Sequence, residues 1–93
     1  MAKNWKQKVL LKNGVTGKQV DSFEFDCEEG SQANTDGIFE ALDKFEKAGY
    51  SGIDQDEAFD SLVIDQEPFE FETELQPGEL SKFRIELDPF GQV

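Results

Sequence analysis

Carboxylates alternate with apolar residues in two short segments of the sequence. Residues 22–28 read SFEFDCE, and residues 67–75 read EPFEFETEL. In an extended strand, alternate side chains project from the same face about 6.6–6.8 Å apart. Each segment therefore predicts a row of outward carboxylates, suited to bind cations or a basic protein. The first carboxylate row is Glu24, Asp26 and Glu28, and the second carboxylate row is Glu70, Glu72 and Glu74.

A third acidic group stands in the segment IDQDEAFD and consists of Asp54, Asp56, Glu57 and Asp60. A calcium-binding loop requires the order D-x-D-x-D-G, and Phe59 occupies the place of the required glycine. Asp54 is instead suited to cap a helix, with Glu57 reaching back to it three residues later. We therefore interpret the group as a helix start that adds to the acidic surface, and we predict no metal site.

The charge of the chain is unevenly distributed. The 93 residues carry a formal net charge of −12. The first 20 residues hold five lysines and no acid, whereas all 21 acidic residues lie after them. A surface this acidic repels nucleic acid and anionic membranes and attracts basic proteins. We predict a basic protein partner, with no direct binding to nucleic acid or to a membrane.

Several catalytic and redox classes are excluded by residues that the chain lacks. Histidine, the commonest general base, is absent, and the single cysteine, Cys27, excludes an intramolecular disulfide, a CxxC pair and a cysteine-based zinc site. No P-loop, nucleophile elbow or Rossmann glycine pattern occurs. No apolar run is long enough for a signal peptide or a membrane span. These observations predict a cytoplasmic protein that is not an enzyme and has no cofactor.

A first hairpin is predicted before residue 29. Residues 5–12 alternate, and residues 19–28 form a second strand in which Phe23, Phe25 and Cys27 point inward. Gly14 and Gly17 permit the positive φ angles of the connecting loop. One face of the first strand holds Trp5, Gln7, Val9 and Leu11, and the other holds Lys6, Lys8, Leu10 and Lys12.

Helices are predicted in the middle of the chain. Caps are available at residues 34–36, and the i, i+4, i+7 spacing of Ile38, Leu42 and Phe45 predicts a helix to about residue 48. Gly49 suits the end of this helix. A second, short helix is predicted from Asp54 to about Leu62, with Ile53 and Ala58 packed across its start.

A second hairpin completes the predicted fold. Residues 69–75 and 80–88 flank Pro77 and Gly78, which suit the centre of a type II turn. The inward residues are Phe69, Phe71 and Leu75 on one strand and Phe83, Ile85 and Leu87 on the other. Residues 1–93 are thus predicted to form a single α+β domain of order ββα(α)ββ. One face of a four-stranded antiparallel sheet is covered by the helices.

The carboxylate rows have a structural and a functional interpretation. In the structural one, the lysines of the first hairpin face the first row, and Lys82 and Arg84 face the second. Each opposed pair then contributes roughly 0.2–1 kcal/mol. The functional interpretation follows from the excess of acid, since solubility alone requires a net charge of only about 2–8 units.

The functional interpretation predicts a small acidic binding protein without catalytic activity. Its rows would form a lattice of negative charge, as phosphates do along a duplex, and would occupy the nucleic-acid site of a basic protein as a DNA mimic or an immunity-type inhibitor. The alternative is a structural or assembly component, of the phage or bacterial accessory type, that self-associates. The basic first strand of one copy would then meet the acidic face of another. The first hypothesis predicts a monomer, and the alternative predicts a homodimer.

Overall fold

The computed structural model of the chain describes residues 4–28 and 32–88, without the side chains of residues 4, 5, 27, 28 and 32–34. The predicted inward positions of Trp5 and Cys27 and the outward position of Glu28 therefore lie outside the described side chains. The predicted α+β class and the order ββα(α)ββ are confirmed. The elements are β1 (Asn4–Asn13), β2 (Gln19–Glu28), α1 (Gln32–Lys47), α2 (Gln55–Phe59), a π-helix (Asp60–Ile64), β3 (Phe69–Gln76) and β4 (Glu79–Asp88).

The four strands form one antiparallel sheet in the order β2-β1-β4-β3, so β2 and β3 are its edges. The two hairpins are staggered along the strand direction. β1 pairs with β4 only between Lys8–Asp88 and Asn13–Phe83. At one end β1 and β2 therefore continue beyond β4, and at the other end the β3–β4 turn continues beyond β1. This stagger accounts for an elongated molecule of 52 × 22 × 19 Å.

The loop of the first hairpin is closed by Asn13. Its Oδ1 atom accepts hydrogen bonds from the backbone N–H groups of Val15 and Thr16, at 2.8 and 2.9 Å. The predicted positive φ is found at Gly17, where φ is 76°. Gly14 does not adopt a positive φ; a Cβ atom there would lie 3.1 Å from Cβ of Lys82. Gly14 is thus required for close approach of the two hairpins, a tertiary contact that the turn pattern does not contain.

The turn of the second hairpin has the predicted positive φ, 81° at Gly78. The prediction that Leu75 is buried is wrong, because 46% of this residue is exposed. The β3–β4 register shifts between Glu74 and Gln76, which removes Leu75 from the inward alternation, and the turn projects beyond β1. Thr73 is instead the last buried residue of β3, and its Oγ1 atom lies 3.1 Å from Oγ of Ser51.

Helix α1 covers the inner face of the sheet. Ile38, Leu42 and Phe45 are fully buried, as the spacing predicts. The predicted caps at residues 34–36 are wrong, since these residues lie inside a helix that begins at Gln32. Gly37, which follows them, packs directly on Phe25 of β2, and we attribute the helical conformation of this turn to that contact. Gly49, with a φ of 112°, follows the helix end as predicted.

The start of α2 agrees with the predicted cap. The backbone N–H of Glu57 donates to Oδ1 of Asp54 at 3.1 Å, and Ile53 and Ala58 are buried. Within residues 32–88, the Glu57 side chain does not bond back to Asp54. The helix continues beyond the predicted Leu62 as a π-helix to Ile64.

Candidate functional site

The first carboxylate row lies on the outer face of β2, the face away from the helices. Asp26 is opposite Lys6 and Glu24 is opposite Lys8, and both carboxylates are exposed. Lys6 Nζ forms an ion pair with Oε1 of Glu24 at 3.4 Å, diagonally across the hairpin. Lys6 and Lys8 therefore meet this row, as the structural interpretation predicts, whereas Lys12 is opposite Gln19 and pairs with Glu86 of β4 instead.

The second carboxylate row lies on the outer face of β3, and its three glutamates are exposed. Glu70 is opposite Arg84 and Glu72 is opposite Lys82. For the described part of the chain, neither glutamate side chain makes an ion pair or a hydrogen bond. Glu74 differs, because its Oε1 atom accepts a hydrogen bond from the backbone N–H of Gly78 at 2.6 Å. The predicted opposition is correct, but the predicted ion pairing of this row with Lys82 and Arg84 is wrong.

Glu86 is the residue that forms ion pairs with the neighbouring Lys12 and Arg84. Its Oε2 atom lies 2.8 Å from Nζ of Lys12, and its Oε1 atom lies 2.9 Å from Nε of Arg84, although the latter N–H is not aligned as a hydrogen bond. The Glu86 side chain is only 18% exposed and stands beside Leu10, which is 7% exposed although it lies on the outer face. Charges attract more strongly where water is partly excluded. Arg84 therefore turns along its own strand to Glu86 rather than across to Glu70.

The two carboxylate rows occupy diagonally opposite corners of the sheet. β2 and β3 are three strand spacings apart, or about 14 Å. Glu24 is level with Asp88, whereas Glu70 is level with Arg84, four residues or about 14 Å further along β4. Glu24 and Glu70 are thus about 20 Å apart. This arrangement does not form the single lattice that the sequence pattern suggests.

The third acidic group lies in the helical layer, and its four members are exposed: Asp54, Asp56, Glu57 and Asp60. α2 packs beside α1, since the rings of Phe59 and Phe39 stack with centroids 5.1 Å apart. The loop before α2 reaches β3, because a Cβ atom on Gly52 would lie 3.0 Å from the carbonyl oxygen of Glu72. The group is therefore on the opposite layer from the carboxylate rows, and its preceding loop meets the strand of the second row.

At the second carboxylate row, backbone N–H and C=O groups of β3 point away from β4, in the plane of the sheet. The carbonyl oxygen of Lys82 accepts a hydrogen bond from N–H of Gly14, so the Lys82 backbone faces β1. In an antiparallel pair, two directly opposed residues either bond to each other or both face away. Glu72 is opposite Lys82, so the backbone N–H and C=O groups of Glu72 point away from β4. The same groups of Glu70, two residues earlier, point the same way. We call these outward N–H and C=O groups the β3 edge; sequence reasoning missed it because strand order is not encoded in the alternation.

The opposite edge of the sheet, on β2, is bonded at Ser22. At Ser22 of β2, the backbone N–H donates to Oδ1 of Asp21 at 2.8 Å, and the carbonyl accepts from Nζ of Lys44 at 2.7 Å. Lys44 Nζ also lies 3.5 Å from Asp21 Oδ1 and 5.7 Å from the ring centroid of Phe23. One lysine of α1 thus satisfies both a carboxylate and a backbone carbonyl of the β2 edge.

A shallow, open depression of about 190 Å³ lies beside the β3 edge and is lined by Glu70, Phe71, Glu72 and Lys82.

On α1, Lys47 donates a hydrogen bond to the Asp43 carboxylate at 2.8 Å. This bond and the carboxylate charge raise the pKa of Lys47 above its ordinary value. That pair is exposed on α1 and is an ordinary i, i+4 helix contact.

Across residues 4–28 and 32–88, no three potential metal-binding side chains cluster together. In the same ranges, no helix has the length and apolar character needed to cross a membrane. Comparison of the chain with protein-family models, with curated proteins and with solved structures found no match. The assignment of function therefore depends on the geometry described above.

Proposed function

We propose that the protein is a non-catalytic acidic binding protein that inhibits or modulates a basic, nucleic-acid-handling protein. The observation that carries the proposal is the contrast between Glu86, which takes two cations, and Glu70 and Glu72, which take none among the described residues. Two exposed carboxylates that make no ion pair within the described residues can pair with a partner's lysines or arginines without breaking one.

The corner that holds the second carboxylate row is the better binding surface of the two. At the first row, Glu24 already pairs with Lys6, whereas Glu70 and Glu72 of the second row have no ion pair within the described residues. The two corners are too far apart to act as one continuous lattice, so the proposed contact is a compact acidic patch. Such a patch suits a partner's phosphate-binding cleft, where basic side chains converge on negative charge.

Self-association through the basic first strand receives less support. That mechanism needs free lysines on β1, where Lys6 pairs with Glu24 and Lys12 pairs with Glu86, so that only Lys8 of the described β1 lysines has no ion pair. A homomer that used Lys6 or Lys12 would have to break these contacts before it could form new ones. Sizing chromatography tests this alternative directly, since a homomer held by charge would dissociate as salt is raised.

Affinity capture with three immobilised proteins tests the proposal. The wild type is compared with Glu70→Gln/Glu72→Gln and with a matched control, Glu24→Gln/Asp26→Asn, which removes the same charge at the other corner. We expect the wild type and the control to retain a basic protein from lysate. The Glu70→Gln/Glu72→Gln variant should release the same protein at a lower salt concentration. Duplex DNA added in solution should compete with the wild type for that protein. Equal retention by all three proteins, or no effect of DNA, would contradict the proposal.

A further inference from the structure

We infer that the β3 edge is a strand-addition site for an extended, basic segment of the partner protein. The inference rests on the proposed function and adds the manner of binding: the partner would contribute a fifth strand to the sheet. Sheet edges bind extended peptides through main-chain hydrogen bonds, and side chains at alternate positions then give specificity.

The main-chain groups needed for this addition are in place. The N–H and C=O groups of Glu70 and Glu72 face away from β4. Within the described ranges, these groups make no hydrogen bond to another element. Gly52 approaches the Glu72 carbonyl but offers it no side chain, and a Cβ atom there would stand 3.0 Å from that oxygen. Any side chain at position 52 would therefore crowd this oxygen.

The register of an added strand determines which side chains it should carry. Residues directly opposite Glu70 and Glu72 would project on the same outer face, with Cβ atoms about 4.5–5.5 Å from those of the glutamates. Opposite charges at such positions are favourable and like charges are unfavourable. The segment should therefore carry lysine or arginine at every second residue. The intervening residues would face the side of the sheet that holds Phe69 and Phe71.

The same geometry argues against a second copy of this chain as the occupant. A second β3 would place glutamates opposite Glu70 and Glu72, which is a like-charge arrangement. A second β2 would bring Glu24 and Asp26 to the same face, and its edge is already bonded to Lys44 and Asp21 at Ser22. Charge complementarity therefore selects a basic segment of another protein.

The test uses the acetylated and amidated peptide TKTKTKT and the intact protein. Binding is followed by NMR titration of the ¹⁵N-labelled protein, and amide hydrogen exchange is measured at Glu70 and Glu72. The matched control is the same peptide with N-methyl groups on alternate backbone nitrogens, made in both registers, which keeps every charge but removes one line of N–H donors. We expect TKTKTKT to bind and to slow exchange of both amides at least about tenfold. N-methylation in one register, and Glu70→Gln/Glu72→Gln in the protein, should each weaken binding about tenfold.

The outcomes separate this inference from the proposed function. If all three peptides bind equally and exchange at Glu70 and Glu72 is unchanged, strand addition is overturned while charge-based binding stands. If TKTKTKT does not bind at all, strand addition is also overturned, and the affinity capture then decides the proposed function independently. Slowed exchange at Ser22 rather than at Glu72 would place the contact at the β2 edge and would likewise overturn the inference.

Discussion

The two edge strands have similar sequences and different surroundings. On β2, α1 covers the inner side through the contact of Gly37 with Phe25, and Lys44 bonds to the edge itself. On β3, the inner side holds the buried Phe71, while the N–H and C=O groups of Glu70 and Glu72 face outward. Within the described residues, alternating carboxylates therefore accompany an edge that bonds to α1 at Ser22 in one strand, and an edge without a bond to another element at Glu70 and Glu72 in the other.

The difference shows that the role of a surface carboxylate depends on competition for nearby cations. Glu86 is in the middle of the sheet, is partly buried, and takes Lys12 and Arg84. Glu70 is directly opposite Arg84 but forms no ion pair with it. A count of acidic and basic residues on facing strands does not reveal this outcome, because the stronger acceptor lies on the same strand as the arginine.

The largest expected effect concerns how β3 is anchored. Phe71→Ala should lower the free energy of unfolding by about 3–5 kcal/mol, because its ring is buried against Phe69 and Phe83 and a cavity would remain. Phe23→Ala on β2 is the control and should cost less, since Phe23 is only half-buried. Urea denaturation measures both. Equal losses would mean that the two edge strands are anchored alike, against the comparison drawn here.

The next effect concerns the cover over β2. Gly37→Ala should destabilise the protein by about 1–3 kcal/mol, although alanine favours helix by about 1 kcal/mol, because the new Cβ would lie 2.6 Å from Cγ of Phe25. The measurement is thermal or urea unfolding. Phe25→Leu should relieve the clash, so the two substitutions together should cost less than their sum. A net gain in stability from Gly37→Ala would show that α1 does not pack closely on β2.

A smaller effect on stability is expected from substitution of Glu86, which forms ion pairs with Lys12 and Arg84. Glu86→Gln should lower the free energy of unfolding by about 1–2 kcal/mol, since Lys12 and Arg84 would lose their shared counter-charge in a partly buried place. Added salt should reduce the difference from wild type, because screening weakens the lost attraction. Urea denaturation at low and high salt measures it. No difference at low salt would indicate that the cations are satisfied elsewhere.

Much of the fold was predictable, because its signals are local. Alternation predicted the strands, the spacing of Ile38 and Leu42 predicted α1, and Asp54 was correctly assigned as a cap. The candidate site was predictable only as a list of outward carboxylates. Alternation specifies the face of a strand but not its neighbours, so the pairing of β1 with β4, and with it the contact of Lys12 with Glu86, was not accessible.

The smallest expected effect on stability is also the most informative about the β3 edge. Glu70→Gln and Glu72→Gln should each change the free energy of unfolding by less than about 0.5 kcal/mol, since neither side chain has an ion pair within residues 4–28 and 32–88. The relief of repulsion between like charges two residues apart is offset by the lost attraction to the opposite Arg84 and Lys82, which keeps the change small. Glu86→Gln is the matched control, as it removes the same charge from the same face. If Glu72→Gln destabilised the protein as much as Glu86→Gln does, Glu72 would be bound to Lys82 in solution. The carboxylate proposed to bind the partner's cations would then already be paired within the chain.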